Sequence, residues 1–366
     1  MKAVLALLLL LSGCAGGVVT ASAECPGSSF SQHPRHARYD ALLTEYCTTA
    51  RAPGCIVMVD RPGEPLWAGS RGLADLSTGA PMCIDTPLRV GSVSKTYVAA
   101  MIMKLIDEGK LERQTTLAAA LPSVVGRIPS TELITLEHLL GHRSGVLNPE
   151  SQDLFAQTDY FDRPDQLIPL TLEQRFERYV YDRPLLFPPG SARRYSNPGY
   201  DLLGLVAART QDASLQQTLE RLILSPLQLN NTSFLNRDGA GIPRGYVDTA
   251  EGRLIDVTTS DKANVNELSP SGGLVATAGD VRAFWRALFS GAVVSQASLD
   301  FMKSDTGNGL FLEKADGVTF AYGHQGALIG ESTWALYFPA EDAVVVLSLN
   351  TSGTSSDVPF ARRLLE

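Results

Sequence analysis

The chain is poor in positive charge. Lysine and arginine total 31 of 366 residues against 39 acidic ones, for a formal net charge of −8. Lysine is the scarcer of the two, and neither gathers into a stripe. Phosphate backbones are held by concentrated positive charge, so the composition argues against nucleic acid as a partner. No hydrophobic run reaches the roughly 20 residues that a membrane-spanning helix needs. No C-x-x-C spacing suggests structural zinc. There is no G-x-S-x-G nucleophile elbow, no glycine-rich phosphate loop and no internal repeat. What remains is an ordinary globular composition, 44% hydrophobic and 19% charged, long enough for one large domain or two lobes.

The N-terminus reads as an export signal over residues 1–23. Lys2 precedes an apolar run, Ala3 to Leu11, that is too short to anchor the chain by itself. Two processing sites compete. Leu11-Ser12-Gly13-Cys14 resembles a bacterial lipobox, which would be cleaved before Cys14 and would lipidate it. Ala21-Ser22-Ala23 resembles an A-x-A cleavage site. The first predicts a periplasmic or cell-envelope lipoprotein, membrane-attached through Cys14; the second predicts a secreted protein. Cys25, Cys47, Cys55 and Cys83 then remain. In an oxidising compartment they predict two disulfides, with three pairings open, and buried free thiols are the alternative.

Residues 24–38 are rich in Pro, Ser, Gly and His and read as a linker; residues 39–366 read as one domain. Tyr39 to Ala50 shows helical spacing. Cys55 to Val59 reads as a buried strand, with Pro65 to Arg71 as its partner. An apolar stripe of Val93, Tyr97, Val98, Met101, Ile102, Leu105 and Ile106 predicts a helix that begins near Ser92, with Gly109 at its C-terminus. Short helical segments follow to about 290. Three strands are expected late: Thr319 to Ile329, Ser332 to Phe338 and Ala343 to Leu349. Strands at both ends with helices between predict one sheet built from the termini, a sheet lobe of about 39–110 and 290–366, and an inserted helical lobe of about 111–289.

Within Gly91-Ser-Val-Ser-Lys95, Ser92 and Lys95 lie three residues apart, on one face of a helical turn. A serine hydroxyl is a weak nucleophile until a base takes its proton. A lysine that is partly buried loses basicity and can be that base. Alone, the spacing is equally that of a solvated surface lysine. Two further motifs follow. Tyr195-Ser196-Asn197 is the chain's one Y-x-N and lies in a loop bounded by Pro and Gly. Tyr322-Gly-His-Gln-Gly-Ala327 falls on a late strand.

In this order the three motifs resemble those of the serine β-lactamase-related, penicillin-recognising hydrolases. That group holds class C β-lactamases, D-alanyl-D-alanine carboxypeptidases, D-aminopeptidases and esterases. Leu136-Glu-His-Leu-Leu-Gly-His-Arg-Ser-Gly145 and Ser271-Gly-Gly-Leu274 extend the likeness, which runs over roughly residues 50–350. The resemblance implies a two-lobe α/β fold of the β-lactamase/transpeptidase type: about five antiparallel strands flanked by helices, with an inserted, mostly helical lobe. It implies Ser92 as nucleophile and Lys95 as its activator. Tyr195 would be general base and acid, its phenol pKa lowered by neighbouring positive charge. Asn197 would bond Lys95 and the substrate amide. The backbone N–H groups of Ser92 and Ala327 would form the oxyanion hole, His324 would face the substrate, and Gly326 would keep its strand open for substrate backbone. No cofactor or metal is implied. His138 and His142 have a metal-compatible spacing, but without the intervening Glu they read as structural.

One departure matters. Class C β-lactamases carry Lys-Thr-Gly where this chain has His324-Gln325-Gly326. Histidine is mostly neutral at pH 7 and holds an anion less firmly. The expected function is a serine hydrolase acting through a Ser92 acyl-enzyme on D-amino-acid peptides or amides, in the manner of a D-alanyl-D-alanine carboxypeptidase. A carboxylesterase or a β-lactamase of the same fold is the alternative, and a non-catalytic penicillin-binding-like lipoprotein is the reading from another class. The expected partner is a small molecule or peptide; oligomeric state stays open.

Overall fold

The computed structural model describes residue 25 and residues 30–167, 170–234, 241–249, 252–260, 269–304, 307–352 and 357–366, without the side chains of 160 and 161. The export signal and Cys14 lie outside the described residues.

The chain opens with helix α1 (His36–Thr49), strand β1 (Gly54–Asp60), β2 (Trp67–Asp75) and the two-residue β3 (Ala80–Pro81). After β4 (Leu88–Arg89), a 3-10 turn at Gly91–Val93 leads into helix α2 (Ser94–Asp107). Short helices and the minor strands β5 (Thr232–Ser233), β6 (Tyr246–Asp248), β7 (Leu254–Asp256) and β8 (Val275–Ala276) fill the middle. The chain closes with β9 (Phe311–Ala315), β10 (Val318–Ala327), β11 (Ser332–Phe338), β12 (Ala343–Leu349) and a helix at Asp357–Leu365.

The main sheet has seven strands in the order β3-β2-β1-β12-β11-β10-β9. All its pairings are antiparallel, and β1 meets β12 with Cys55 opposite Leu349. Five strands were expected from the sequence. β9 was missed because its burial is graded rather than alternating, and β3 because it is two residues long and carries Pro81. Side chains alternate across the strands. On one face Cys55, Val57, Val59, Val345 and Leu347 pack on α1 and the C-terminal helix, through Tyr39, Leu43, Phe360 and Leu364. On the other, Ile56, Met58, Val344 and Val346 join a larger core that includes α2.

Three boundaries are corrected. The expected linker is docked from residue 30 on: Phe30 is half-buried, His33 is buried, and α1 begins at His36. Its Pro/Ser/Gly/His composition hides these two contacts. The helix Ala278–Phe289, assigned above to the helical lobe, belongs to the sheet lobe, where Arg286 and Arg282 pair with Asp60 of β1 at 3.1 and 3.3 Å. Ser92 sits in the 3-10 turn rather than in the α-helix itself. The disulfides are Cys25–Cys83 and Cys47–Cys55. The second ties the end of α1 to the start of β1.

Candidate active site

Ser92 is presented by the tight turn between β4 and α2. Gly91 makes that turn, with φ of +51°. Lys95 lies one turn on and is fully buried. Its Nζ donates to Ser92 Oγ at 3.0 Å and to the Ser271 carbonyl at 2.6 Å. Burial pushes its pKa down to about 7, although the buried carboxylates of Asp201 and Glu150 pull the other way. The amine is therefore available as a base near neutrality.

Tyr195 approaches from the helical lobe. Its ring lies 4.9 Å from Lys95 Nζ, and its phenol hydrogen-bonds the Ser92 side chain. The expectation of a lowered phenol pKa is overturned. Burial raises it, and the charges of Glu150 and Asp201 raise it further, outweighing the Ser92 hydrogen bond.

Asn197 also departs from its expected contact. Its Nδ2 donates to the Glu150 carboxylate rather than contacting Lys95. Its Oδ1 has no partner among the described residues. Glu150 carries no motif and was not legible in the sequence. It sits in the short helix Pro149–Gln152, and burial raises its pKa to about 7. Asp201, four residues after Asn197 on the helix Asn197–Thr210, was also missed. It accepts from the Ser271 N–H at 2.8 Å and from Ser269 Oγ at 2.9 Å, which fixes the carbonyl that Lys95 uses.

His324 is 1% exposed and does not line the cleft. Phe311 stacks on it at 4.1 Å, and its Nδ1–H donates to the Gln325 carbonyl at 2.7 Å. Burial, and then Lys95, push its pKa down to about 3, so it is neutral across the physiological range. Gly326 is constrained by the body of the protein rather than by substrate: a Cβ there would lie 1.8 Å from the Val90 carbonyl oxygen. β9 pairs with β10 only as far as Gly323, leaving residues 324–327 without a strand partner on that side among the described residues. A cavity of about 380 Å³ opens there, lined by Ser92, Glu150, Tyr195, Asn197, Ser271, Phe311, Gln325, Ala327 and Leu328. Ser92 and Ala327 thus face one space, as an oxyanion hole requires. The rings of His138 and His142 accept backbone N–H groups, from Thr135 at 3.3 Å and from Ser196 at 3.2 Å.

A family model described as Beta-lactamase matches residues 39–366. The chain belongs to the Beta-lactamase family. That family is one of serine hydrolases, esterases and penicillin-binding proteins among them. It is 31% identical over 207 residues to esterase EstB of Burkholderia gladioli, a match covering 55% of this chain and 52% of that protein. It is 28% identical over 357 residues to penicillin-binding protein 4 of Amycolatopsis lactamdurans, covering 90% and 88%. A D-stereospecific amidohydrolase from a Streptomyces species superposes with a TM-score of 0.75 at 23% identity, over 90% of this chain and 98% of that one. The chain therefore spans about half the length of the esterase but most of the length of the penicillin-binding protein. Within the β-lactamase family, the buried neutral His324 sets this cleft apart from one built around a cation.

Proposed function

We propose that the chain hydrolyses esters or amides of D-amino acids through an acyl-enzyme on Ser92. The contact between Ser92 Oγ and a fully buried Lys95 amine, 3.0 Å apart, carries this reading. Neutral Lys95 takes the Ser92 proton as Oγ adds to the substrate carbonyl carbon. The oxyanion is received by the N–H groups of Ser92 and Ala327. The proton returns from Lys95 through the Tyr195 hydroxyl to the leaving amine or alcohol as the C–N or C–O bond breaks. Water then cleaves the acyl-enzyme by the reverse sequence.

The walls favour a substrate that donates hydrogen bonds and ends without a carboxylate. Glu150 lines the cleft as an acceptor, suited to the ammonium of an amino-acid amide or ester. His324 offers no positive charge, and Phe311 covers it. The amidohydrolase named above is described as D-stereospecific, which supports the D configuration. A carboxypeptidase acting on D-alanyl-D-alanine ends is the second reading, favoured by the 90% coverage against a penicillin-binding protein.

The test is turnover of D-alanine amide and a D-alanyl ester beside an acyl-D-alanyl-D-alanine peptide, with Ser92→Ala as control. Preference for the amide and ester supports the proposal. Preference for the free carboxylate overturns it in favour of the carboxypeptidase. Inertness of all three, with no benzylpenicillin adduct by intact mass, would leave a binding protein. Export also stands as a proposal. It rests on the signal-like N-terminus and on two disulfides, which persist in oxidising compartments. Membrane fractionation of wild type beside Cys14→Ala separates the lipid-anchored form from the secreted one.

A further inference from the structure

His142 has no part in the chemistry proposed above, yet it is built into the site's frame. It follows the helix Leu136–Leu140 and takes φ of +58°, a left-handed conformation uncommon outside glycine that histidine, asparagine and aspartate adopt more readily than other residues. The ring is 3% exposed. A buried imidazole on a left-handed backbone needs a local reason, and the contacts supply one.

Three contacts run from this one residue to the loop that carries Tyr195. The His142 carbonyl accepts from the Arg194 N–H at 2.9 Å. Its Nδ1 accepts from the Ser196 N–H at 3.2 Å. Its ring packs against the Tyr195 ring, with centroids 4.4 Å apart and planes 32° apart. The residues on either side of Tyr195 are held by hydrogen bonds and Tyr195 itself by a ring face. Tyr200 backs the arrangement from one turn into the next helix. Its ring lies 4.9 Å from His142, and its hydroxyl donates to the Leu140 carbonyl at 2.8 Å. Ser196 in turn caps that helix, its Oγ accepting from the Gly199 N–H at 3.1 Å.

The hydrogen bond fixes the tautomer. Nδ1 accepts, so the proton of the neutral ring is on Nε2. A second proton on Nδ1 would point at the Ser196 N–H. Burial and the nearby Lys95, Arg193 and His324 all oppose it.

We propose that His142 is a positioning residue for Tyr195: by accepting from the Ser196 N–H and bearing on the Tyr195 ring, it sets the phenol on Ser92. This rests on the reading of Ser92, Lys95 and Tyr195 as the reacting groups. His142 touches no substrate; it acts through Tyr195.

Two substitutions separate its parts. In His142→Asn the amide oxygen takes the place of Nδ1 and the backbone conformation is kept, so only the ring is lost. In His142→Gly both are lost while the left-handed backbone is kept. Each is made alone and with Tyr195→Phe, and melting temperature is followed alongside. The readout is the burst rate of acylation by a p-nitrophenyl ester, with kcat and KM. The expected result is a loss of roughly a hundredfold in acylation for His142→Gly, with smaller loss for His142→Asn and KM little changed. In the Tyr195→Phe background neither substitution should cost more than about a further twofold, because their effect runs through the phenol. Full additivity with Tyr195→Phe, or unchanged acylation in a folded His142→Gly protein, overturns the proposal. If instead Tyr195→Phe itself acylates at the wild-type rate, the reading of the catalytic groups fails, and the positioning proposal with it.

Discussion

Replacing Gly326 by alanine should disable the site while leaving a folded protein. The added Cβ would sit 1.8 Å from the Val90 carbonyl oxygen and 2.7 Å from its carbon. Carbon and oxygen pack at no less than about 3.3 Å, so the shortfall is about 1.5 Å and both partners are backbone. Neither can turn aside as a side chain would, so β10 and the nucleophile turn must separate by something on the order of 1 Å. That gap lies between Ser92 and Ala327, the two residues whose N–H groups would share the oxyanion. Losing one such donor costs about 10²–10³ in kcat. Overpacking of this kind costs about 1–3 kcal/mol of stability. The control is on the same strand: a Cβ on Gly323 would lie 2.2 Å from the Ala335 carbonyl oxygen, against β11 and away from Ser92. Esterase kinetics and thermal unfolding of both variants decide the matter. Gly323→Ala should lose stability and Gly326→Ala should also lose kcat. Equal losses of kcat, or a folded Gly326→Ala enzyme within about threefold of wild type, would refute the reasoning.

For an uncharged ester, kcat/KM should rise with pH through about 7, because Lys95 takes a proton only when neutral and its pKa lies there; Lys95→Met should remove the limb and cost on the order of 10²–10⁴ in rate. Phe311→Ala opens His324 to water and relieves the burial that keeps it neutral, so at acidic pH, where Nε2 can gain a proton and donate, turnover of carboxylate-ended peptides relative to amides should rise by about tenfold, the worth of one hydrogen bond to a charged group; an unchanged ratio in parallel assays would show that His324 does not set this preference. Arg89 and Glu331 form a buried ion pair at 2.8 Å between β4 and the turn after β10. Arg89→Leu should cost about 3–5 kcal/mol, and the Arg89→Leu/Glu331→Leu double variant less, as read by denaturant unfolding.

The late strands were legible because they announce themselves locally: Ala343 to Leu349 is a valine- and leucine-rich run, interrupted only by Ser348, between turns. The helix that carries Lys95 was legible from its apolar stripe, and the meeting of Ser92, Lys95 and Tyr195 from the order of their motifs. Glu150 was not. It owes its place to a short helix whose neighbours in the chain say nothing of the cleft, and its character to burial, which no local pattern encodes. His324 shows the opposite failure. Its identity was read correctly as a departure, but its isolation from substrate comes from Phe311, thirteen residues away and on a strand that had not been foreseen. Gly326 was given the right importance for the wrong surface, since only the assembled structure shows Val90 behind it.

The pairing of β1 with β12 also bears on how the molecule is made. β1 finds β2 within a few residues, but its other neighbour lies far along the chain, with Cys55 meeting Leu349. Closing a loop of that size is slow. Until β12 is made, β1 keeps an unpaired apolar edge, the kind of surface that recruits other chains. A chain cut short before β12 would lose more than an outer strand. It would leave two half-sheets, β3-β2-β1 and β11-β10-β9, with the nucleophile turn carried beside a β10 no longer tied through β12 to β1.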